Sequence, residues 1–378
     1  MPPSLPETIV QFGTGKFLRA FADLFVHELN ETAHGVGRIV VVQSTGAERA
    51  GVFNRQQGRY HVAIRGLEHG QPVDRTLVAG GVSRALAAPA DWPQVLDMGR
   101  SDDLTTVISN VTEAGYALDP ADAPDDAPPR SFPAKLLGLL RARFEAGRSG
   151  VTILPCELLE KNADRLLALL VEQARAWRLP EALGDWLRYE CAWRNTLVDR
   201  IVSAPPPGDP LGASDPLFAV AEPFALWLIE GSFSDHGLAR HRAVRAVDDL
   251  EPYYRRKVRI LNGAHTALVA KARPLGFETV RQATLDARIG PWLRSLLFDE
   301  IVPVLEGRTD APEQFARDVL ERFANPFLEH RLADIALHHE VKLQTRLAPT
   351  RDEFVARFGR QPERLDEILG GCLRKGPI

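Results

Sequence analysis

The segment Thr8-Ile-Val-Gln-Phe12-Gly13-Thr14-Gly15-Lys16-Phe17-Leu18 contains the pattern that decides the fold. A short apolar run ends at Gly13, and apolar residues at helical spacing begin at Phe17. A strand, a glycine turn and a helix in this order open a dinucleotide-binding fold, because glycines let the backbone approach a pyrophosphate at the helix N-terminus. Leu18 occupies the third glycine position of the usual fingerprint, so an ordinary strand-turn-helix unit is the alternative.

The chain up to about residue 245 alternates strand-like and helix-like segments. Further strands are predicted at residues 39–43, 104–109 and 151–154, and helices at residues 134–145 and 163–177. This alternation is typical of a parallel, doubly wound α/β sheet. Beyond residue 245 strand candidates fade, and helices are predicted at residues 257–271, 289–305, 312–323 and 327–338. We therefore predict a Rossmann-like domain over residues 1–245 and a mainly α-helical domain over residues 246–378.

Composition excludes several classes of protein. A chain of 378 residues is long enough for two domains, and its net charge of −4 gives no support for binding to nucleic acid or to anionic membranes. The three cysteines have neither the spacing of a zinc site nor that of a disulfide framework. The N-terminus lacks a signal-peptide pattern, and the apolar runs are too short to span a bilayer. We expect a cytoplasmic protein that acts on a small molecule without a metal; the oligomeric state stays open.

A second informative segment is Lys257-Val-Arg-Ile-Leu-Asn262-Gly-Ala-His265. On an α-helix, at about 100° per residue, these three side chains fall within an arc of roughly 140°. A lysine that transfers a proton, an amide that donates a hydrogen bond and an imidazole that orients the reactant suit carbonyl–alcohol chemistry. The alternative is a solvated basic helix face, since Arg255 and Arg256 precede the lysine.

Taken together, these segments resemble the polyol-specific long-chain dehydrogenase/reductase family. Seven motifs occur in the family's order, at residues 11–20, 109–116, 131–136, 154–162, 195–202, 221–230 and 257–265. They are spread over most of residues 8–350. Agreement of many separated motifs is more specific than any one of them. The C-terminal domain is expected to be shorter than is usual in the family.

The resemblance implies an NAD-dependent, metal-independent ketone reductase with four catalytic residues. Lys257 would be the general acid/base, Asn262 and Asn162 would donate hydrogen bonds to the substrate oxygen, and His265 would orient the substrate. A free lysine has a pKa near about 10.4, so the base role requires a lowered pKa. Nearby arginines could assist that shift if any points inward: Arg255, Arg256 and Arg259. The alternatives are a helix N-cap at Asn162 and a core histidine at His265.

The resemblance also implies a set of cofactor-binding residues: Phe12, Gly13, Gly15, Lys16, Phe17, Arg19, Asn110, Thr112, Glu113 and Asp199. A buried structural ion pair between Asp199 and Arg200 is the alternative for the last of these. The second strand ends in Gln43-Ser-Thr45, with neither the acidic residue that usually binds an NAD ribose nor an adjacent arginine. The residues alone therefore discriminate weakly between NAD and NADP.

The expected substrate is a keto sugar acid that is reduced to its hydroxy acid. A carboxylate needs a fixed cation, and Lys342 and Arg346 lie at family positions near the substrate; a charged loop is the alternative. The phosphate turn and residues 155–162 and 259–269 most resemble tagaturonate reductases, whereas residues 222–231 are closer to mannitol and fructuronate enzymes. The open alternatives are therefore fructuronate, a neutral polyol, or a shortened paralogue that binds the nucleotide without turnover.

Overall fold

The structure is a computed structural model that describes residues 5–68, 71–327 and 329–373. Its contacts divide the chain into two compact units. The first comprises the described residues up to Ile64 together with Asp74–Leu250. The second comprises the described part of Arg65–Val73 and the described residues from Glu251 onward.

Parallel strands form the largest sheet, with the order β5-β2-β1-β6-β7-β8. The other two sheets have the orders β10-β11-β3-β4 and β13-β12-β9. The strands are β1 (Glu7–Phe12), β2 (Arg38–Gln43), β3 (Tyr60–Glu68), β4 (Gln71–Ala79), β5 (Val82–Ala87), β6 (Thr106–Ser109), β7 (Thr152–Pro155), β8 (Ala192–Trp193), β9 (Thr196–Asp199), β10 (Val202–Ser203), β11 (Ala219–Ala221), β12 (Leu226–Glu230) and β13 (Val244–Val247).

Helices make up most of the remaining regular structure. The α-helices of the first unit are α1 (Lys16–Arg19), α2 (Ala22–Asn30), α3 (Glu48–Arg55), α4 (Ala88–Arg100), α5 (Phe132–Glu145), α6 (Asn162–Ala176), α7 (Glu181–Tyr189) and α8 (Pro210–Ser214). Those of the second are α9 (Glu251–Arg256), α10 (Gly263–Ala272), α11 (Val280–Leu285), α12 (Ile289–Ser295), α13 (Val302–Leu305), α14 (Pro312–Phe323), α15 (Leu332–Ile335), α16 (His339–Lys342), α17 (Ala348–Phe358) and α18 (Glu363–Leu373). Short 3₁₀ turns span Glu113–Gly115, Gly237–Arg240 and Arg273–Leu275. π-helical turns span Lys257–Asn262, Leu296–Ile301 and Leu343–Leu347.

The core of the first unit confirms the predicted doubly wound sheet. The valines of β2 are fully buried, as expected for a parallel strand covered on both faces. Val10, Val40 and Val107 pack on one face with leucines of α5 and α6. The strands predicted at residues 39–43, 104–109 and 151–154 and the helices predicted at residues 134–145 and 163–177 correspond to β2, β6, β7, α5 and α6.

The first helix differs from the prediction because it is interrupted. α1 ends at Arg19, and Phe21 leaves the helical region with φ −130° and ψ −98° before α2 begins. The buried guanidinium of Arg200 donates a hydrogen bond to the carbonyl oxygen of Ala20 at 2.7 Å. A distant side chain therefore satisfies a carbonyl at the break, a partner that local periodicity does not reveal.

The second unit is mainly helical, as predicted, but the helix expected at residues 327–338 is wrong. Only Leu332–Ile335 is α-helical in the described part of that range. The His330 carbonyl accepts a hydrogen bond from the Val280 N–H at 2.9 Å, and the Leu332 N–H donates to Glu278 at 2.8 Å. These long-range bonds compete with the helical pattern. A charged loop was the alternative to a substrate-binding role for Lys342 and Arg346. The segment that contains them, residues 339–347, is helical instead.

Substitution of Gly13 by alanine should destabilise the first unit. Gly13 has φ +127°, and an added Cβ would lie 2.8 Å from the carbonyl oxygen of Asn110. The backbone strain should lower the free energy of unfolding by about 1–3 kcal/mol, measured by urea denaturation. The control is Gly80→Ala, whose Cβ would meet no atom within 4 Å. Equal stability of the two variants would contradict this account.

Candidate active site

The glycine turn after β1 borders a cavity of about 490 Å³, a size typical of small-molecule sites. Gly13 approaches Asn110 closely, whereas a Cβ on Gly15 would meet no atom within 4 Å. The turn is therefore open at Gly15. The cavity is lined by Gly13, Thr14, Gln43, Ser44, Thr45, Glu48, Arg49, Val52, Val111, Pro216 and Leu217.

The residues of this cavity fit a dinucleotide. Ser44 follows β2, at the carboxyl edge of the sheet where the cofactor ribose lies in such folds. Its Oγ is buried and has no hydrogen-bond partner among the described residues, so a ligand hydroxyl or phosphate would satisfy it. The open turn at Gly15 leaves room for phosphate.

Two charged lining residues, Glu48 and Arg49, were missed by the sequence analysis. They begin α3, several residues beyond the end of β2. An acidic residue that binds the ribose is usually expected directly at the end of the second strand, and Glu48 lies beyond that position. The start of the next helix was the sequence feature that could have identified Glu48 and Arg49, because the N-termini of helices and the carboxyl ends of strands lie at the same edge of a doubly wound sheet.

Arg19, predicted to bind cofactor, holds the turn from inside the protein. Its Nε donates to the Leu217 carbonyl at 2.8 Å and its Nη1 to the Thr14 carbonyl at 2.6 Å. Burial lowers the pKa of its guanidinium. Contact of Arg19 with phosphate stays a prediction, while its contacts give it a role in shaping the cavity.

Of the two aromatic residues beside the turn, Phe12 belongs to the core and Phe17 is half-buried. Phe12 is fully buried and packs edge-on against Phe132, with ring centroids 5.3 Å apart. Phe17 stacks on Phe21 at 4.8 Å. Lys16 is half-buried at the start of α1. Contact of these predicted residues with the cofactor is untested.

The loop after β6 carries the predicted residues Asn110, Thr112 and Glu113. The Asn110 side chain donates to the Cys156 carbonyl at 2.9 Å and so connects the ends of β6 and β7. Thr112 has φ +79°, a conformation that is rare for a residue with a side chain. Glu113 is exposed. This loop adjoins the cavity through Val111.

Asp199 and Arg200 are buried at the end of β9. Arg200 donates to the Glu222 carbonyl through Nε and Nη2 at 3.0 and 2.8 Å. Burial lowers the pKa of Arg200 to about 10, although the carboxylates of Glu222 and Glu28 oppose that shift. The role of Arg200 in this structure is to bind backbone carbonyls, and the contact of Asp199 with cofactor stays a prediction.

Asn162, predicted to be catalytic, is fully buried and uses its whole amide inside the first unit. Its Nδ2 lies 3.1 Å from the carbonyl oxygens of Pro155 and Glu157 and 3.2 Å from that of Thr196. Its Oδ1 accepts from the N–H groups of Ala163 and Thr196. The two amide hydrogens of Asn162 already have three carbonyl oxygens as acceptors, which favours a positioning role. Donation of a hydrogen bond from Asn162 to the substrate stays a prediction.

Asn195 provides the side-chain cap that was considered for Asn162. Its Oδ1 accepts hydrogen bonds from the N–H groups of Ala163 and Asp164 at 3.0 and 3.2 Å, at the start of α6. Its amide group donates to Asp164 and Glu230 at 3.0 and 2.8 Å. Asn195 was part of a quoted motif, but its distance from α6 in the sequence hid this function.

The Lys257–His265 segment is helical, but it is not the regular α-helix assumed from the sequence. Lys257–Asn262 forms a π-helical turn, in which the Gly263 N–H bonds the Val258 carbonyl five residues earlier. Because the bulge takes up one extra residue, Lys257, Asn262 and His265 fall within about 60° instead of roughly 140°. The π turn therefore aligns the three side chains more closely than predicted.

His265 is buried among aromatic and basic groups. Its ring stacks on Phe323 at 4.3 Å and meets the His330 ring edge-on at 4.6 Å. Its Nε2 has no hydrogen-bond partner among the described residues. Burial, followed by the nearby His330, Arg322, Arg346 and Lys257, lowers the pKa of His265 well below its usual value. The imidazole is therefore neutral near pH 7, able to donate or accept one hydrogen bond.

The three arginines near Lys257 have other partners. Arg255 pairs with Glu251, and Arg259 donates to Glu353 at 3.1 Å and to Thr350 at 2.9 Å. Arg256 donates to the Asp310 carbonyl at 2.6 Å. Counter-ions accompany Arg255 and Arg259, so the suggested assistance to the pKa shift of Lys257 gains no support from them. Lys257 itself is half-buried.

Arg346 lies beside the same helix. Its Nη1 donates to Thr266 Oγ1 at 3.3 Å, and that hydroxyl donates to the Asn262 carbonyl at 2.8 Å. A Cβ on Gly263 would lie 3.2 Å from Leu347, so the two helical segments pack closely. The Lys342 Nζ donates to the Ile335 carbonyl at 2.8 Å. The second unit thus brings Arg346 close to Asn262 and His265, two of the predicted catalytic residues.

None of the helices in the described ranges is both long and apolar enough to cross a membrane. No cluster of three or more His, Cys, Asp or Glu side chains in those ranges is placed to bind a metal ion.

Comparison with solved structures identifies relatives of the fold. Mannitol 2-dehydrogenase of Pseudomonas fluorescens, in a ternary complex with NAD and D-mannitol, superposes with a TM-score of 0.82 at 22% sequence identity. The superposition covers 97% of this chain and 78% of the chain of that enzyme. A substrate-free D-sorbitol dehydrogenase superposes with a TM-score of 0.80 at 25% identity, covering 98% and 81%. These matches agree with a Rossmann-like domain followed by a mainly helical one.

Curated relatives and family domains extend the comparison. Altronate oxidoreductase of Bacillus subtilis (strain 168) is 37% identical over 95% of this chain and 78% of its own length. The altronate oxidoreductase of Klebsiella pneumoniae (strain 342) is 40% identical, covering 97% and 79%. Residues 7–240 match the mannitol dehydrogenase Rossmann domain, and residues 249–374 match the mannitol dehydrogenase C-terminal domain. The chain therefore belongs to the mannitol dehydrogenase family.

Proposed function

We propose that this protein is an NAD(H)-dependent oxidoreductase that interconverts D-tagaturonate and D-altronate, as an altronate oxidoreductase. The observation that carries the proposal is the alignment of Lys257, Asn262 and His265 on one π-bulged helix with Arg346 beside it. The altronate oxidoreductases that share 37% and 40% identity support the substrate.

The charges around His265 favour an acidic substrate over a neutral polyol. The charged groups that act most strongly on this imidazole are all basic, namely His330, Arg322, Arg346 and Lys257. A keto sugar acid carries a carboxylate that such groups attract, whereas fructose or mannitol carries none. Arg346 and Lys342 are the proposed carboxylate-binding residues.

Lys257 is the proposed general acid/base. In the reductive direction its ammonium group gives a proton to the substrate carbonyl oxygen as that oxygen gains negative charge. The amide of Asn262 stabilises the same charge by donating a hydrogen bond. Neutral His265 orients a substrate hydroxyl through Nε2. In the oxidative direction Lys257 takes the proton back.

The cavity of the first unit is the proposed cofactor site. The backbone of the turn from Gly13 to Gly15 would receive the pyrophosphate, and Ser44 would contact the adenosine side. NAD(H), when bound, supplies the hydride chemistry that these side chains lack. Asn110, Thr112 and Glu113 remain proposed contacts on the nicotinamide side.

A nucleotide-binding paralogue without turnover is the competing function from another class. A damaged catalytic set would favour it, but Lys257, Asn262 and His265 are all present and aligned. The presence of these three residues therefore favours a catalytic protein over the paralogue without turnover.

Replacement of Lys257 by alanine tests the acid/base role. We expect kcat to fall about 10²–10⁴-fold while NADH affinity changes little, because the lysine acts in proton transfer. Stopped-flow NADH absorbance and NADH fluorescence titration measure the two effects. The control is Lys271→Ala on the same helix, whose ammonium pairs with Glu367 and lies 5.3 Å from the Trp292 ring centroid. Normal turnover of the Lys257 variant near neutral pH would overturn the assignment.

Replacement of Arg346 or Lys342 by alanine tests carboxylate binding. Each variant should raise KM for tagaturonate about 10–100-fold, since a hydrogen bond to a charged group contributes about 1.5–3 kcal/mol. Turnover of an uncharged ketose, where detectable, should change little. Arg351→Ala, which removes an arginine paired with Asp366, is the control. An equal loss on charged and uncharged substrates would exclude a specific carboxylate role.

Turnover of a small substrate panel tests the function directly. Purified protein should oxidise NADH with tagaturonate, and far more slowly with fructuronate, fructose or buffer alone; the series is repeated with NADPH. Preference for fructose would assign the protein to the polyol dehydrogenases. NADH binding without turnover of any compound would favour the non-catalytic paralogue.

A further inference from the structure

Glu157 supports the loop that follows β6 with both of its carboxyl oxygens. It is buried just after β7, and its Oε1 accepts a hydrogen bond from the Val111 N–H at 2.9 Å. Its Oε2 accepts from the hydroxyl groups of Ser109 and Tyr116, each at 3.0 Å. Two of these three donors precede Thr112 and the third follows it, so one carboxyl group holds both sides of a strained residue.

The strain at Thr112 explains why such support is needed. A non-glycine residue with φ +79° is unfavourable by itself and persists only where its surroundings impose it. The bonds to Val111 and Tyr116 restrain the backbone on either side. Val111 lines the cavity beside the glycine turn, so the shape of this loop is part of the cavity wall.

The protonation states are consistent with this arrangement. Burial raises the pKa of Glu157, and the hydrogen bonds from Val111, Ser109 and Tyr116 oppose that shift. Burial and the neighbouring Glu157 raise the pKa of Tyr116, which therefore stays a phenol that can donate. A carboxylate can accept at about four sites, so these three donors occupy most of its acceptor capacity.

We propose that Glu157 is a positioning residue that holds loop 110–116 in the shape that receives the cofactor. The inference rests on the proposed function, because it concerns the same nucleotide site. Glu157 acts through Val111 and Thr112 and is not itself assigned contact with substrate or cofactor.

A second buried carboxylate provides a matched control. Glu300 is also buried and accepts hydrogen bonds from the N–H groups of Arg364 and Leu365, both at 2.9 Å. It belongs to the second unit and does not line the cavity. Its loss should disturb stability in a comparable way without altering the cofactor site.

The experiment compares Glu157→Ala, Glu157→Gln, Tyr116→Phe and Glu300→Ala. Glu157→Ala should raise the Kd and KM for NADH about tenfold or more, because a displaced loop misplaces its binding groups. Its kcat at saturating NADH and its KM for the keto acid should change little. Glu157→Gln should recover most of the affinity, since its oxygen still accepts from Val111 and both hydroxyls can turn to accept from its amide. Glu300→Ala should lower the unfolding temperature and leave the Kd for NADH unchanged.

Failure of the inference is distinguishable from failure of the proposed function. If wild-type protein does not bind NADH, the proposed function fails, and the inference with it. If wild type binds and folded Glu157→Ala binds equally well, the inference alone is overturned. If Glu157→Ala does not fold, Tyr116→Phe decides, because it removes one of the three bonds: a several-fold higher Kd supports the inference, and an unchanged Kd overturns it.

Discussion

The pairing of backbone groups at the carboxyl edge of the parallel sheet is the constraint on which the first unit depends. The residues that follow β1, β6 and β7 are still hydrogen-bonded to neighbouring strands. The Gly13 N–H donates to the Val42 carbonyl at 3.2 Å, the Asn110 N–H to the Phe12 carbonyl at 3.0 Å and the Cys156 N–H to the Ser109 carbonyl at 2.7 Å. The Asn110 side chain adds a bond to Cys156. These contacts bring the glycine turn so close to the next strand that a Cβ at position 13 would collide with backbone.

Buried polar side chains form hydrogen bonds that hold the loops next to the sheet. Asn162 joins the end of β7 to β9, Asn195 caps α6, and Glu157 holds the loop after β6. Each side chain satisfies backbone groups at the end of a strand, in a loop or at the start of α6. The same side chains lie in sequence motifs from which catalytic and cofactor-binding residues are predicted. A motif residue can therefore act by shaping a site, as the contacts of Arg19 and Asn162 illustrate.

In the second unit the corresponding constraint is the π turn of the long helix. It changes the rotation between Lys257 and Asn262, and close packing at Gly263 brings the Arg346 segment alongside. Burial, followed by the nearby His330, Arg322, Arg346 and Lys257, lowers the pKa of the His265 imidazole, which stays neutral near pH 7. Alignment and charge together favour a carbonyl group and a carboxylate on the same small molecule.

From the sequence alone it was possible to predict the strands β1, β2, β6 and β7, most of the helices and the family. Apolar runs of β-branched residues predicted β2, the glycine pair located the turn after β1, and many ordered motifs identified the relatives. Local periodicity is sufficient for these features because each one depends on residues close together in the chain. Only tertiary structure decided how individual side chains are used. Hydrogen bonds between residues that are distant in sequence explain three differences from the prediction: the break near Ala20, the absence of a full helix at residues 327–338 and the cap from Asn195. The π turn at Lys257 is a change of helix geometry that the residue types do not encode. Glu48 and Arg49 reach the cavity for the same reason: the fold brings the start of α3 to the edge where β2 ends.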